Sequence, residues 1–274
     1  MIYLFAALYC EAEPLIKRYG LTGDGEYPFA GFVSEDGRIR LTITGVGKTY
    51  AAAAASSVCT KFNVTSRDFL INIGTCAGCS GMSGAYLINK VTDGDNGRTY
   101  YPDMLYNTGL RENQVTTLSR IATPGLISGE SSMLWEMEAS GFCDAARLYA
   151  PPDRVQLIKV VSDNGADSGK DITDGMLRMT VTGSLDDIAA ALDVYLNVDD
   201  VEIPEPVEVS PLAEDFRCSE TMRQDLIKLM IYCRNSRRDA SLILDAMRNE
   251  GLIPAPDRQR GKEALNEFKR RILQ

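Results

Sequence analysis

Through the first two hundred positions, short apolar runs rich in β-branched residues alternate with helical segments. No other feature limits the possible folds of this chain as strongly. Strands are predicted over Ile2–Leu8, Ile39–Thr44, Phe69–Ile73, Ala85–Val91 and Leu157–Val161. Helices are predicted over Ala12–Tyr19, Thr49–Phe62, Ser132–Arg147 and Ser184–Tyr195. Such alternation belongs to an α/β domain with a mainly parallel sheet covered on both faces. Ligands of these sheets sit at the carboxyl ends of the strands, so the chemistry is sought in the segments that follow them.

After Leu196 the pattern changes. Val198–Glu214 is acidic and contains proline, as a linker or edge segment does. Beyond it, Thr221–Tyr232, Ala240–Asn249 and Lys262–Leu273 have helical periodicity, which predicts a domain over 1–200 and a linker plus small helical extension over 201–274. Residues 211–274 carry 13 basic against 10 acidic side chains, and 1–210 carry 16 against 28. A basic tail of this kind either contacts nucleic acid, or presents a solvated face or packs on the acidic core, and the latter pair is the expectation here.

The net charge of −9 argues against general affinity for nucleic acid or an anionic membrane surface. The opening MIYLFAALYC lacks the basic start of a signal peptide and the length of about 20 apolar residues that a membrane span needs. The seven cysteines are odd in number and widely spread, which suggests reduced thiols and a cytoplasmic setting. Cys76 and Cys79 form a C-x-x-C, but its small-residue surroundings fit neither a redox helix nor a metal site, and no cofactor is expected. Histidine is absent from the chain. That removes Ser-His-Asp and Cys-His catalysis and any imidazole base, so an enzyme of this sequence must work with Asp, Glu, Cys, Lys, Tyr or the backbone.

Four stretches end a strand or open a helix. Glu11 follows the first strand and is placed either to hold a water or to stabilise a helix N-terminus. Thr44-Gly45-Val46-Gly47-Lys48 resembles the end of a phosphate-binding loop, but the spacing of a P-loop is missing. In the third, Asn72-Ile73-Gly74-Thr75-Cys76-Ala77-Gly78, small residues either bring the backbone up to a flat or polar ligand or form a plain turn. The fourth is a pair: Trp135-Glu136-Met137-Glu138-Ala139, expected to open a helix, and Ser162-Asp163-Asn164 at a strand end. Glu136, Met137 and Glu138 can bracket a sugar and Asp163 can act on a leaving group; taken separately, each is equally a helix cap or a core methionine.

The order Glu11, TGVGK, GTCAG, EMEA and SD resembles the nucleoside phosphorylase/nucleosidase superfamily, most closely its methylthioadenosine/S-adenosylhomocysteine nucleosidase branch, over about residues 1–196. The resemblance implies a three-layer α/β fold, a central mixed sheet flanked by helices, here with a helical C-terminal extension. It also implies a purine nucleosidase acting on an adenosine-type nucleoside, in a homo-oligomer that is most often a dimer. Under it, Asp163 with Ser162 protonates N7 of the purine, and Glu138 binds the ribose hydroxyls beside Met137. Glu11 activates the water, Thr75 helps to hold the water or the sugar, and Ala77 and Gly78 line the base pocket.

Such chemistry is coherent, because cleavage through an oxocarbenium-like sugar gains from a protonated leaving group and from nearby negative charge. Phosphorylases of the superfamily place arginine where this chain has Asn72, which favours water over phosphate as nucleophile. Arg38, Arg40 and Lys48 remain as other sources of positive charge. The segment before EMEA is short for the family, leaving Tyr100, Tyr101 and Tyr106 as candidates to stack on a base, with Asp103 as a further polar candidate.

Overall fold

The computed structural model describes residues 1–25, 28–123, 133–163, 172–198, 209–236 and 238–273. The chain forms two compact units, Met1–Asp200 and Val201–Gln274.

The first unit is built on one mixed sheet. Its strands are β1 (Ile2–Ala6), β2 (Thr22–Gly23), β3 (Ala30–Val33), β4 (Ile39–Ile43), β5 (Phe69–Ala77), β6 (Gly84–Asp93), β7 (Thr99–Tyr100), β8 (Arg111–Thr117), β9 (Leu134–Glu136) and β10 (Val155–Asp163). Hydrogen bonding runs in the order β10-β6-β8-β9-β5-β1-β4-β3-β2, with β7 on β6. Because β10 also pairs with β5, the strands β5, β9, β8, β6 and β10 close into a ring. Parallel pairing of β1 with β4 and β5, and of β10 with β5, needs crossover helices, and the chain supplies them.

Those helices are α1 (Tyr9–Arg18), α2 (Lys48–Lys61), α3 (Ala139–Ala146), α4 (Asp174–Gly183) and α5 (Leu185–Leu196). They divide the core in two. Tyr3, Phe5, Leu70 and Leu157 pack with Ala51, Ala55 and Phe142 of α2 and α3. Leu4, Ile71, Ile73 and Ile158 pack with Leu15, Val181, Ile188 and Leu192 of α1, α4 and α5. Strands covered on both faces account for the continuous apolar runs in the sequence. No helix among the described residues is long and apolar enough to cross a membrane.

Two expectations change. β5 and β10 continue past their apolar runs, so Thr75, Cys76, Ala77, Ser162 and Asp163 stand on strand ends rather than in loops. Ser132–Arg147 is not one helix: Leu134–Glu136 is a strand, and α3 begins only at Ala139. Trp135 pairs with Ala77 and Thr116, and this pairing with β5 and β8 overrides the local helical periodicity. Ser132, Asn164 and most of the acidic linker lie outside the described residues.

The second unit contains α6 (Ser210–Asp215), α7 (Glu220–Asn235), α8 (Ala240–Asn249) and α9 (Arg258–Leu273) around Phe216, Leu226, Met247, Phe268 and Ile272. Ser219 caps α7 and Asp239 caps α8. Gly261 lets α9 approach the Phe216 carbonyl where any Cβ would collide. Several of its arginines pair within the unit, Arg248 with Asp215 and Arg271 with Glu250 and Glu267.

Candidate active site

A cavity of about 280 Å³ opens at the carboxyl ends of β5 and β10. Glu11, Thr75, Cys76, Ala77, Glu136, Met137, Glu138, Ser162 and Asp163 all line it. Gly78 stands just behind. Its amide donates to the Asp163 carbonyl at 2.9 Å, and a Cβ there would meet Val161 at 3.1 Å.

Glu11 is only 3% exposed, although it lies in the first turn of α1. Its Oε2 accepts from the Leu8 amide at 3.1 Å, and its Oε1 accepts from both the amide and the hydroxyl of Thr75, at 2.7 and 2.6 Å. One carboxylate thus caps the helix and is fixed against β5. Gly74 keeps the adjacent space open, since a Cβ there would stand 3.4 Å from Glu11 Oε1 and 3.6 Å from Lys159 Nζ.

Lys159 is the residue that sequence reasoning passed over. It lies on β10 opposite Gly74, is 1% exposed, and pairs with Glu136 Oε2 at 2.9 Å. Burial by itself favours the neutral amine, but Glu136, Glu138 and Glu11 outweigh it and hold its pKa above the ordinary lysine value. The signal was present in the sequence as a single charge inside the apolar run LIKVV.

Glu136 is held on every side. Besides Lys159, it accepts from the Thr117 hydroxyl at 2.6 Å and from the amides of Glu138 and Ala139, both at 2.8 Å. Those two amides start α3, so Glu136 works as a reach-back cap that presents Met137 and Glu138 to the cavity.

Glu138 accepts from the Gly47 amide at 2.8 Å. Burial and the Glu136 carboxylate push its pKa up to about 7, against the opposing pull of Lys159 and the Gly47 amide. The Ser162 hydroxyl donates to Asp163 Oδ2 at 2.8 Å and also contacts the Cys76 carbonyl at 3.2 Å. The Cys76 thiol is buried, which pushes its pKa up and leaves it a packing group.

The three tyrosines do not line the cavity. Tyr106 packs on Phe69 and Tyr195 and donates to Asp153, Tyr100 is buried on β7, and Tyr101 is exposed. Asp103 binds through its backbone to Pro152 and Gln156, near the start of β10 rather than its end. The aromatic side chain that reaches the cavity is Trp135. Arg120, Ile121 and Ala122, beyond β8, line it as well.

The remaining cations named above are engaged elsewhere. Lys48 pairs with Asp93 and Asp95, Arg38 donates to the Leu196 carbonyl, and Arg40 pairs with Asp24. Asn72, buried on β5, donates to the Phe5 carbonyl at 3.1 Å and brings no charge.

No sequence-family model matches the chain, and no curated protein matches its sequence. Solved structures do match its fold. A 5′-methylthioadenosine/S-adenosylhomocysteine nucleosidase from S. pneumoniae, solved with a transition-state inhibitor, is 16% identical with a TM-score of 0.59, covering 70% of this chain and 98% of that one. A futalosine hydrolase from Helicobacter pylori is 12% identical with a TM-score of 0.59 over 70% and 98%. The 5′-methylthioadenosine nucleosidase of Arabidopsis thaliana is 18% identical with a TM-score of 0.59 over 72% and 96%. The chain has the mixed-sheet fold of the nucleoside phosphorylase/nucleosidase superfamily.

Proposed function

We propose that this protein is a purine nucleosidase that hydrolyses an N-glycosidic bond. The observation that carries the reading is the convergence of Glu11, Glu138 and Asp163 in one cavity, with Glu11 fixed by Thr75 and Glu138 by Gly47. Asp163, oriented by Ser162, delivers a proton to N7 so that the base leaves neutral. Glu138 binds the ribose hydroxyls with Met137 against the sugar, and Glu11 orients and deprotonates the attacking water. Thr75 holds Glu11 in place for that step. Cys76, Ala77 and Trp135 form the surface under the base with Gly78 behind it, and Glu136 acts through the α3 cap.

Water is favoured over phosphate because Asn72 brings no charge, Arg38, Arg40 and Lys48 are engaged elsewhere, and Arg120, which does line the cavity, stands on the segment packed at the Trp135–Ala77 end. Adenosine-type nucleosides such as 5′-methylthioadenosine and S-adenosylhomocysteine are the first substrates to test. They are those the sequence resemblance implies, and two of the similar structures are named for them. A nucleosidase for a different purine nucleoside is the second reading, favoured by the similarity to futalosine hydrolase.

A second copy of the chain is the proposed partner. Tyr9, Val46, Tyr50, Met176 and Met179 are large apolar or aromatic side chains left exposed, and a neighbour that covered Val46, which also lines the cavity, would narrow its mouth.

The test is release of free base from 5′-methylthioadenosine, S-adenosylhomocysteine, adenosine and inosine, by wild-type protein and by Asp163→Asn. Release by wild type and its loss in the variant, with nucleoside binding retained, is the expected result. Binding without release by wild type would make the protein a nucleoside-binding module instead.

A further inference from the structure

Among the described residues lining the cavity, Arg120 is the one cation, beside the acids Glu11, Glu136, Glu138, Asp163 and Asp174. Its side chain makes no hydrogen bond or ion pair with another described residue. Nearby acids are engaged elsewhere, Asp95 with Lys48 and Ser119, and Glu136 with Lys159 and Thr117.

Its place in the cavity follows from its neighbours. Leu118 and Ala122, two residues to either side, both pack on the cluster of Trp135 and Cys79 that also includes Ala77. Ala77 is the strand partner of both Trp135 and Asp163. The segment carrying Arg120 therefore covers the Ala77–Trp135–Asp163 end, where the base lies in the reading above.

We infer that Arg120 reads the C6 position of the base and that the pocket prefers a 6-oxopurine. A guanidinium has only N–H donors and no acceptor. On the purine edge that carries N7, a 6-oxopurine presents two acceptors, N7 and O6, whereas adenine presents the N7 acceptor beside an amino donor. With N7 engaged by Asp163, the next group along that edge is the C6 substituent. Arg120 bonds a carbonyl there, and against an amino group it sets donor against donor. Its solvent exposure limits the selectivity to about tenfold, the equivalent of one hydrogen bond.

The inference rests on the purine nucleosidase reading and, within it, favours the second substrate reading over the adenosine-type one. It is tested with substrate pairs that share a sugar and differ at C6: inosine against adenosine, and 5′-methylthioinosine against 5′-methylthioadenosine. The kcat/KM ratio is measured in wild type, Arg120→Met and Arg120→Lys. The expected result is a preference of about tenfold for the 6-oxo member, reduced to near unity in R120M and partly kept in R120K. A preference for the 6-amino member, or a ratio that R120M leaves unmoved, overturns it. Calorimetric binding of hypoxanthine against adenine to the same three proteins reads the selectivity without turnover. Hypoxanthine preference abolished in R120M supports the role of Arg120, and equal or adenine-favouring binding overturns it. Absence of base release from all four nucleosides counts against the nucleosidase reading, and the base-binding ratio then decides the role of Arg120 by itself.

Discussion

The Gly47 amide donates to Glu138 Oε1 at 2.8 Å across 91 positions of sequence, joining the glycine turn before α2 to the residue that precedes α3. The contact exists because α2 and α3 approach closely: Gly141 of α3 lies against the Lys48 backbone, where a Cβ would collide with the carbonyl. Ser140 and Lys48 then share Asp93, at 3.0 and 3.1 Å. A turn that resembles a phosphate loop in sequence thus serves here to aim a carboxylate.

Gly141→Ala is therefore expected to cost about 1–3 kcal/mol in urea-denaturation stability, as overpacking against backbone does. Because the same shift pulls Gly47 from Glu138, substrate KM is expected to rise as well. Wild-type stability in the variant would show that α2 and α3 are not packed as described.

Glu138 gives a pH signature. Its folded-state pKa of about 7 lies above the ordinary carboxylate value, so between those two values the native state binds more protons than the unfolded chain. The stabilisation is present at low pH and lost as pH rises through about 7. Wild-type Tm is expected to fall over this window relative to Glu138→Gln, which has no such proton to lose. Parallel Tm profiles would remove the assigned shift.

Lys159 and Glu136 form a buried pair whose members are both about 1% exposed. Lys159→Met leaves Glu136 without its counter-charge, an expected loss of about 3–5 kcal/mol. The double variant Lys159→Met with Glu136→Gln is expected to recover part of that loss, and a double-mutant cycle measures how much. Strictly additive losses would mean that the pair is not coupled.

Much of this site can be read from sequence. Glu11, Thr75, Met137, Glu138 and Asp163 stand out in sequence as residues that end a strand or open a helix and through the family resemblance, and the structure gathers all five around one cavity. What sequence could not convey is how these groups are held. Glu136 looks like a second sugar ligand until its contacts with Thr117, Lys159 and the α3 amides are seen, and those partners are distant in sequence. The tyrosines failed as base-stacking candidates because proximity in sequence says nothing about which end of the sheet a side chain faces. Tyr106 is held by Phe69 at the start of β5, the end away from Ala77. The sequence pattern makes Trp135 helical because WEMEA continues into α3, and only its pairing with β5 and β8 makes it a strand residue.

The proposed self-association is tested through exposed apolar side chains of the first unit. Tyr50 is 60% and Met179 75% exposed, values that a stable monomer gains little from keeping. Sedimentation is expected to show a dimer that Tyr50→Glu with Met179→Glu dissociates. A monomeric wild type at micromolar concentration would withdraw the second copy from the account.

The central claim is that water attacks the sugar while Asp163 protonates the base. Its most direct measurement is the sugar product, identified by mass spectrometry after incubation with the purine nucleosides in phosphate-free buffer. Free base with free sugar, lost in Asp163→Asn, is the predicted result. Base release that requires phosphate and yields a sugar 1-phosphate would contradict it.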